Sequence, residues 1–411
     1  MRITRSFVRP ARRPAAARRR GPAGRACRII PPGGVLDKAR SFESLRARPR
    51  RPFPPRRPGA RWTAHRRSTF ELRTTERTRR FMSIRKPLLV LFALLPLVTL
   101  GSACGRSDAG GASGAPVIAV IPKGTTHEYW KAVHAGAVKA ARDHGAEIIW
   151  KGPIREDDRD EQVKVVETFL AQDIDGIVIA PLDDRALVPV LKDATARHIP
   201  VVVIDSDVQW DGYLSFVATD NEKAGGLAAE RLGEVLGGKG KVVMMRYQEG
   251  SASTMAREAG FLETLKAKFP AIQIVSDNQY GGATTETAYA TAESLLATYA
   301  DVDGIFCPNE STAFGMLLAI QAAGRAGKIH LVGFDASAKL IEGLRQGTID
   351  GLVVQDPFRM GETGVNFLLE SLEHQTVPRR VDTGATMVTR ENMDQPDIKR
   401  LLEPDLATYL N

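Results

Sequence analysis

AVIPKGTTHEYW (119–130) runs from apolar, partly β-branched residues into a polar cluster and then a helix-forming stretch. The chain returns to this arrangement four times: VVVIDSD (201–207), GIFCPNES (304–311), LVGFDAS (331–337) and GLVVQDP (351–357). In open α/β sheets, ligands bind beside polar groups at the carboxyl ends of parallel strands. One such cluster is ordinary. Five of them, carrying Lys123, His127, Asp205, Asn309, Asp335 and Gln355, point to one small polar molecule held from several sides.

Outward from these stretches, strand and helix patterns alternate. Strands are predicted at 117–122, 146–150, 176–180, 200–204, 214–218, 240–245, 272–276, 303–307, 329–333 and 351–355. Amphipathic stretches lie between them at 128–143, 158–172, 184–197, 222–236, 252–268, 284–299 and 309–323. Such alternation implies α/β architecture with parallel, doubly wound sheets covered by helices on both faces. The folded part is large for one sheet and comfortable for two lobes. No low-complexity linker divides it, so short crossovers should join the lobes, with the site between them.

The formal charge of +9 conceals two unlike segments. Residues 1–81 hold 24 Arg and one Lys against four acidic residues, about +21, whereas the rest carries 32 basic and 44 acidic groups. The Arg/Pro-rich leader has no steady apolar period, so no folded nucleic-acid reader is implied there. Met82 then opens MSIRKPLLVLFALLPLVTLGSACGRSDAGGASGAP. Arg85 and Lys86 precede an apolar run over 87–100, too short for a bilayer crossing that needs about 20 residues. Small residues follow, so 82–103 reads as an export signal and 1–81 as untranslated or disordered sequence. Ser102, Ala103 and Cys104 resemble a bacterial lipobox, although its Leu stands one position early, at Leu100, with Gly101 in its place. The expectation is a lipid anchor at Cys104, a flexible tether over 104–116 and an extracytoplasmic location. Of three cysteines only Cys307 would stay inside the folded part, so no internal disulfide can form.

The order and spacing of PVVVIDSD, FVATDN, GSASTMAREAGF, PNES, VGFDAS and VVQDP resemble those of the periplasmic sugar-binding proteins of ABC importers, the type I, ribose-binding group. Their fold is related to the effector domains of LacI repressors. The resemblance implies two α/β lobes joined by three strand crossovers, near Ala218–Asp220, Gln355–Asp356 and Val381–Asp382. Lobe 1 would comprise 117–218 plus 356–381, and lobe 2 would comprise 219–355 plus 382–411. It further implies that Asp205, Asn309, Asp335 and Gln355 meet sugar hydroxyls and that Arg257 donates to the ring. Lys123 and His127 fall on polar contact positions, and Tyr129 and Trp130 on the aromatic pair that flanks the sugar. The implied partners are a sugar or sugar-like polyol, ABC permease subunits and the membrane through Cys104, with no nucleic acid and a monomeric state.

This chain departs from the ribose pattern in several places. Ser206 and Asp207 follow Asp205 where an arginine is expected, and Ala283 stands near an expected phenylalanine. Lys123 and His127 replace small polar groups, and IPK with DSD is similar to binders of the furanose-derived signal autoinducer-2. Asp335 and Asn309 would also serve as helix caps, and Arg257 by itself would be a solvated charge. Gly237–Gly240 lacks the phosphate-loop pattern, and DDRDEQ (157–162) reads as a solvated helix start. No metal-ligand spacing or nucleophile elbow occurs, so neither a metal, a cofactor nor an enzymatic activity is expected. Two other functions share the fold: a ligand-binding receptor feeding a sensor kinase or chemoreceptor, and a LacI-like regulator. The regulator needs a helix-turn-helix before the core, where this chain has an export signal instead.

Overall fold

Residues 114–411 are described by the computed structural model; the leader, the export signal, Cys104 and most of the tether lie outside the described residues. Two six-stranded sheets form among the described residues. The first comprises β1 (Val117–Ile121), β2 (Glu147–Trp150), β3 (Gly176–Ile179), β4 (Val201–Ile204), β5 (Ser215–Ala218) and β11 (Arg380–Asp382), in the spatial order β11-β5-β4-β3-β1-β2. The second comprises β6 (Lys239–Arg246), β7 (Ala271–Tyr280), β8 (Gly304–Phe306), β9 (His330–Phe334), β10 (Gly351–Gln355) and β12 (Ala385–Val388), in the order β12-β10-β9-β8-β6-β7. The two orders superimpose strand for strand. Every pairing is parallel except β10 with β12.

Parallel strands covered on both faces must be apolar on both faces, which is why the β-branched runs lack polar alternation. Ala119 and Ile121 pack with Ile177, Ile179, Val201 and Val203 against Phe169 and Leu191, from α2 (Arg159–Leu170) and α3 (Val188–Ala196). Ile118 and Val120 join Val178, Val202 and Ile204 on the opposite face, beneath α1 (Glu128–His144) and α9 (Pro357–Leu372). Lobe 2 repeats the scheme. Its faces are covered by α4 (Asn221–Val235) and α5 (Ala252–Lys268) on one side, and by α6 (Thr285–Thr298), α7 (Glu310–Ala322) and α8 (Ala338–Gln346) on the other.

α1 and α9 touch backbone to backbone. A Cβ on Gly136 would lie 1.9 Å from the Phe358 carbonyl oxygen, and one on Gly361 would lie 2.0 Å from that of Val133. α4 and α5 approach equally closely through Gly225 and Gly260. In each pair, one helix has arrived by a crossover from the other lobe.

The chain crosses between β5 and α4, between β10 and α9, and between β11 and β12. Asp382 ties these strands together by accepting from the backbone N–H of Asp220 at 3.0 Å and of Gly384 at 2.8 Å. The expected allotment of 382–411 to lobe 2 differs from the structure at both ends. Asp382 completes β11 in lobe 1, where it pairs with Ala218. After α10 (Pro396–Leu402) anchors Ile398 and Leu402 in the lobe 2 core, the tail returns to lobe 1 as α11 (Ala407–Leu410). There Arg142 of α1 donates to the carbonyls of Thr408 and Tyr409 at 2.8 and 3.1 Å.

The cleft between the lobes as a candidate ligand site

In both sheets the strand order reverses beside the first strand, between β1 and β3 and between β6 and β8, which is where doubly wound sheets bind ligands. The loops after these strands face each other across a cavity of about 30 Å³. All nine residues singled out from sequence line it: Lys123, His127, Tyr129, Trp130, Asp205, Arg257, Asn309, Asp335 and Gln355. Glu156, Tyr247, Ser253, Thr254 and Glu310 complete the lining. That volume holds little more than one or two water-sized groups, so the lobes meet closely here.

Asp205 and Asp335 occupy matching places, one residue past β4 and β9. Both adopt the left-handed region, with φ of 62° and 69°. Each backbone N–H is held by the neighbouring strand, Asp205 by Val217 O and Asp335 by Val353 O. An L-residue there costs about 1–2 kcal/mol, least for Asn and Asp. The turn aims each carboxylate across the strand ends. Asp205 Oδ1 accepts from the Tyr129 hydroxyl at 2.9 Å, and Lys123 Nζ lies 2.7 Å from Oδ2. That ion pair is close but lacks hydrogen-bond direction, so Asp205 Oδ2 is a buried acceptor with no hydrogen-bond donor, as is Gln355 Oε1. Asp335 accepts from Gln355 Nε2 at 2.7 Å and from the Glu310 N–H at 3.1 Å. It does not cap α8, whose N-cap is Ser337. Asn309 does cap α7, in a reciprocal capping box with Thr312.

Arg257 is only 2 % exposed, contrary to the solvated charge that a helical arginine alone would suggest. Its Nε donates to Asn221 Oδ1 at 2.7 Å and its Nη1 to Pro308 O at 3.0 Å, with the guanidinium stacked 3.9 Å from the Phe334 ring centroid. The start of α4, the loop after β8 and the end of β9 are thereby gathered around one cation. Gln162 has the corresponding office in lobe 1. Its amide donates to Pro122 O and Ala180 O and accepts from Leu182 N–H, joining the loops after β1 and β3. Within DDRDEQ, Asp158 caps α2 from the surface, but Gln162 is fully buried.

Several contacts cross the cleft directly. Lys123 Nζ donates to Ser253 Oγ at 2.9 Å, and Ser206 Oγ accepts from the Ser253 N–H at 3.0 Å. Ser206 thus spends its side chain on the seam, where the ribose pattern would extend an arginine. Asp207 points away from the cavity and pairs with Arg380 at 2.9 Å.

Tyr129 and Trp130 meet edge to face, 5.0 Å between centroids, with their polar ends engaged by Asp205 and Glu156. Glu156 also lies 2.6 Å from His127 Nδ1 and accepts from the Tyr247 hydroxyl at 2.6 Å. Burial alone would raise the Glu156 carboxyl, but the His127 charge and hydrogen bond, with help from Lys123 and Tyr247, hold it down at about 2. His127 moves the opposite way: burial opposes its charge, yet Glu156, with Glu310 and Asp335 behind it, lifts it to about 9. Glu310 is raised to about 7, by burial first and with Asp335 adding to it against His127. Asp335 is also raised by burial, against the pull of Arg257 and Gln355.

Two doubly wound lobes hinged on strand crossovers, with polar strand ends facing across a cleft, define a bilobal ligand-binding protein. Residues 118–376 match the model of the periplasmic binding protein domain family, and the chain belongs to that family, in its type I, ribose-binding-like group. It is 30% identical over 277 residues to the D-ribose/D-allose-binding protein of Pseudomonas aeruginosa, covering 65% of this chain and 85% of the relative. A solute-binding protein of an ABC transporter from Agrobacterium vitis, solved with bound D-fucose, is 40% identical with a TM-score of 0.68, covering 70% of this chain and all of that one. A carbohydrate-transporter solute-binding protein from Agrobacterium radiobacter, solved with D-arabinose, is 33% identical with a TM-score of 0.69, covering 71% and 100%.

Proposed function

We propose that this protein binds a neutral sugar or sugar-like polyol between its lobes and delivers it to the permease of an ABC importer, held at the membrane by a lipid on Cys104. The supporting observation is the convergence of Asp205, Asp335, Gln355, Asn309 and Arg257 from both lobes on one buried cavity. A sugar hydroxyl both donates and accepts, and this set offers carboxylates, amides and a guanidinium to match it. Gln355 Oε1 is a buried acceptor with no hydrogen-bond donor. The rings of Tyr129 and Trp130 supply apolar faces for the C–H surface of a sugar. Similarity to arabinose- and fucose-bound transporter proteins agrees with this reading.

The cavity of about 30 Å³ is small for a pentose as its side chains stand. Entry therefore requires the lobes to part and the Lys123–Asp205 and Tyr129–Asp205 contacts to rearrange. The ligand then favours closure because only the closed state offers it both half-sites. A thermal-shift screen of the purified protein against pentoses, hexoses, polyols, sugar acids and autoinducer-2 tests this. Ligand at 100 times Kd adds about 2.7 kcal/mol of stability. One sugar should shift the wild type, and Asp335→Asn, which tolerates the left-handed backbone, and Arg257→Ala should lose most of the shift measured against their own unliganded Tm. Wild-type affinity in both variants would refute the site, and silence across the panel would refute the sugar.

A further inference from the structure

Glu156 lies outside the strand-end pattern that carries the rest of the cavity. It sits in the connection between β2 and α2, 5% exposed, between Arg155 and Asp157, both of which face solvent. Its oxygens are all engaged. Oε1 receives Trp130 Nε1 at 2.5 Å and faces His127 Nδ1 at 2.6 Å, both from lobe 1. Oε2 receives the Tyr247 hydroxyl at 2.6 Å, and the backbone oxygen receives Gln248 Nε2 at 2.8 Å, both from lobe 2. With three donors already on its carboxylate and little exposure, Glu156 bears on a ligand chiefly through its neighbours.

We propose that Glu156 is a positioning residue that fixes His127 and Trp130 in the cleft and, through Tyr247, forms a clasp between the lobes that slows release of the bound sugar. The inference rests on the sugar-binding reading for its kinetic consequence, though not for its geometry. Tyr247 is prepared for the contact from its own side. Its backbone N–H donates to Glu258 Oε1 at 3.1 Å, and Glu258 in turn holds Arg246 at 2.6 Å, so the loop after β6 arrives already shaped. Both clasp partners are buried with the lobes together, Tyr247 at 1%. Opening withdraws the hydroxyl from Oε2 and hydrates both groups. The contact is therefore made only in the closed state and weighs on release rather than on encounter. The ordinary alternative for a buried glutamate, a local loop brace, predicts bonds within lobe 1 alone, and here two of the four reach lobe 2.

Three proteins decide the matter: wild type, Tyr247→Phe and Glu156→Gln. Release of the sugar identified by the screen is followed by stopped flow. Tyr247→Phe should release 10- to 100-fold faster, about 1.4–2.8 kcal/mol at 1.4 kcal/mol per decade, with association little changed. His127 is titrated by NMR without any sugar. In Glu156→Gln its pKa should fall from about 9 toward the ordinary ~6.5, although Glu310 and Asp335 still face it. A folded Tyr247→Phe with wild-type release overturns the clasp, and an unmoved His127 overturns the positioning role. Should the wild type bind no sugar, the sugar reading fails separately. The clasp is then judged by spin-label distances between lobes, which should lengthen in Tyr247→Phe and, if unchanged, overturn it. Should Glu156→Gln fail to fold, Tyr247→Phe decides the clasp, and the His127 titration is made on Glu156→Asp, whose shorter side chain should also lower the pKa and, if it does not, overturns the positioning role.

Discussion

Asp205→Asn separates the charge of the cavity from its shape. Asparagine keeps the volume and tolerates the left-handed backbone at φ 62°, whereas alanine there would add strain of its own. The new side chain can still accept from the Tyr129 hydroxyl through Oδ1. What disappears is the negative charge 2.7 Å from Lys123 Nζ, in a pair whose side chains are each 4% exposed. Lys123 retains Ser253 Oγ at 2.9 Å and Ser251 Oγ at 3.4 Å, both neutral. Removing one member of a buried ion pair costs about 3–5 kcal/mol, because the remaining charge stays desolvated. At roughly 2 °C per kcal/mol for a chain of this size, Tm should fall by roughly 6–10 °C. Removing both charges is a different matter. Replacing a buried pair outright is often neutral or stabilising, so Asp205→Asn combined with Lys123→Met should recover most of the loss. Calorimetry on the wild type, the two single variants and the double variant measures this, and sugar titration should show weakened binding wherever Asp205 is changed. A single variant with wild-type Tm would refute the premise that the pair is desolvated. A double variant no better than Asp205→Asn would refute the account of the cost as a stranded lysine.

The ionisations of the cleft set a pH profile. His127, raised to about 9, contributes stability that is complete below its unfolded value near 6.5 and lost as pH rises through 9; Glu310, raised to about 7, adds a loss between 4.5 and 7. Glu156, held at about 2, contributes above 4.5 and is lost as pH falls toward 2, so Tm should peak at mildly acidic pH. A Tm that climbs steadily from pH 6 to 9 would contradict these assignments. Gly361→Ala should be costly in another way, since its Cβ would stand 2.0 Å from the Val133 carbonyl oxygen, a backbone atom that no rotamer change can move. Forcing α1 and α9 apart should cost about 1–3 kcal/mol and, because α1 begins with the residues beside the cavity, weaken binding too. Calorimetry and titration would read both effects, and an unchanged Tm would mean the helices slide freely.

The strands and most of the cavity could be read from sequence for one reason. A strand buried on both faces must be continuously apolar, so the first polar residue after it marks the strand end, and here the strand ends line the cavity. Asp205, Asn309, Asp335 and Gln355 are each that first polar cluster. Glu156 carried no such mark. In KGPIREDDRDEQ the apolar Ile154 is 73% exposed while Glu156 is buried, an inversion that no periodicity announces. Tyr247 stands just past Arg246, the polar end of β6, but an aromatic residue there reads as core, and α11 is four residues long, too short for any amphipathic pattern. These parts depend on which loops meet across the cleft. That information lies in the tertiary arrangement, and local pattern does not contain it.

The matching of the two lobes gives the proposed closure a physical basis. Each lobe presents a parallel sheet of the same strand order and, beyond the equivalent strand, an aspartate in a strained left-handed turn. Each lobe also carries a helix delivered from the other and sealed by glycines. On the proposed reading, a single lobe would offer a sugar only half a site. Lobe 1 brings Lys123, His127 and Asp205, while Arg257, Asn309 and Asp335 belong to lobe 2, with Gln355 at the crossover. With the lobes apart, each set faces water and gains little from binding one side of a sugar. With the lobes together, the same groups are desolvated, and a hydroxyl missing from the ligand would leave a partner buried without a bond, at about 1–3 kcal/mol each. Closure and selectivity therefore have one physical origin. A molecule that satisfies both halves would make the closed arrangement more favourable than one that satisfies only one.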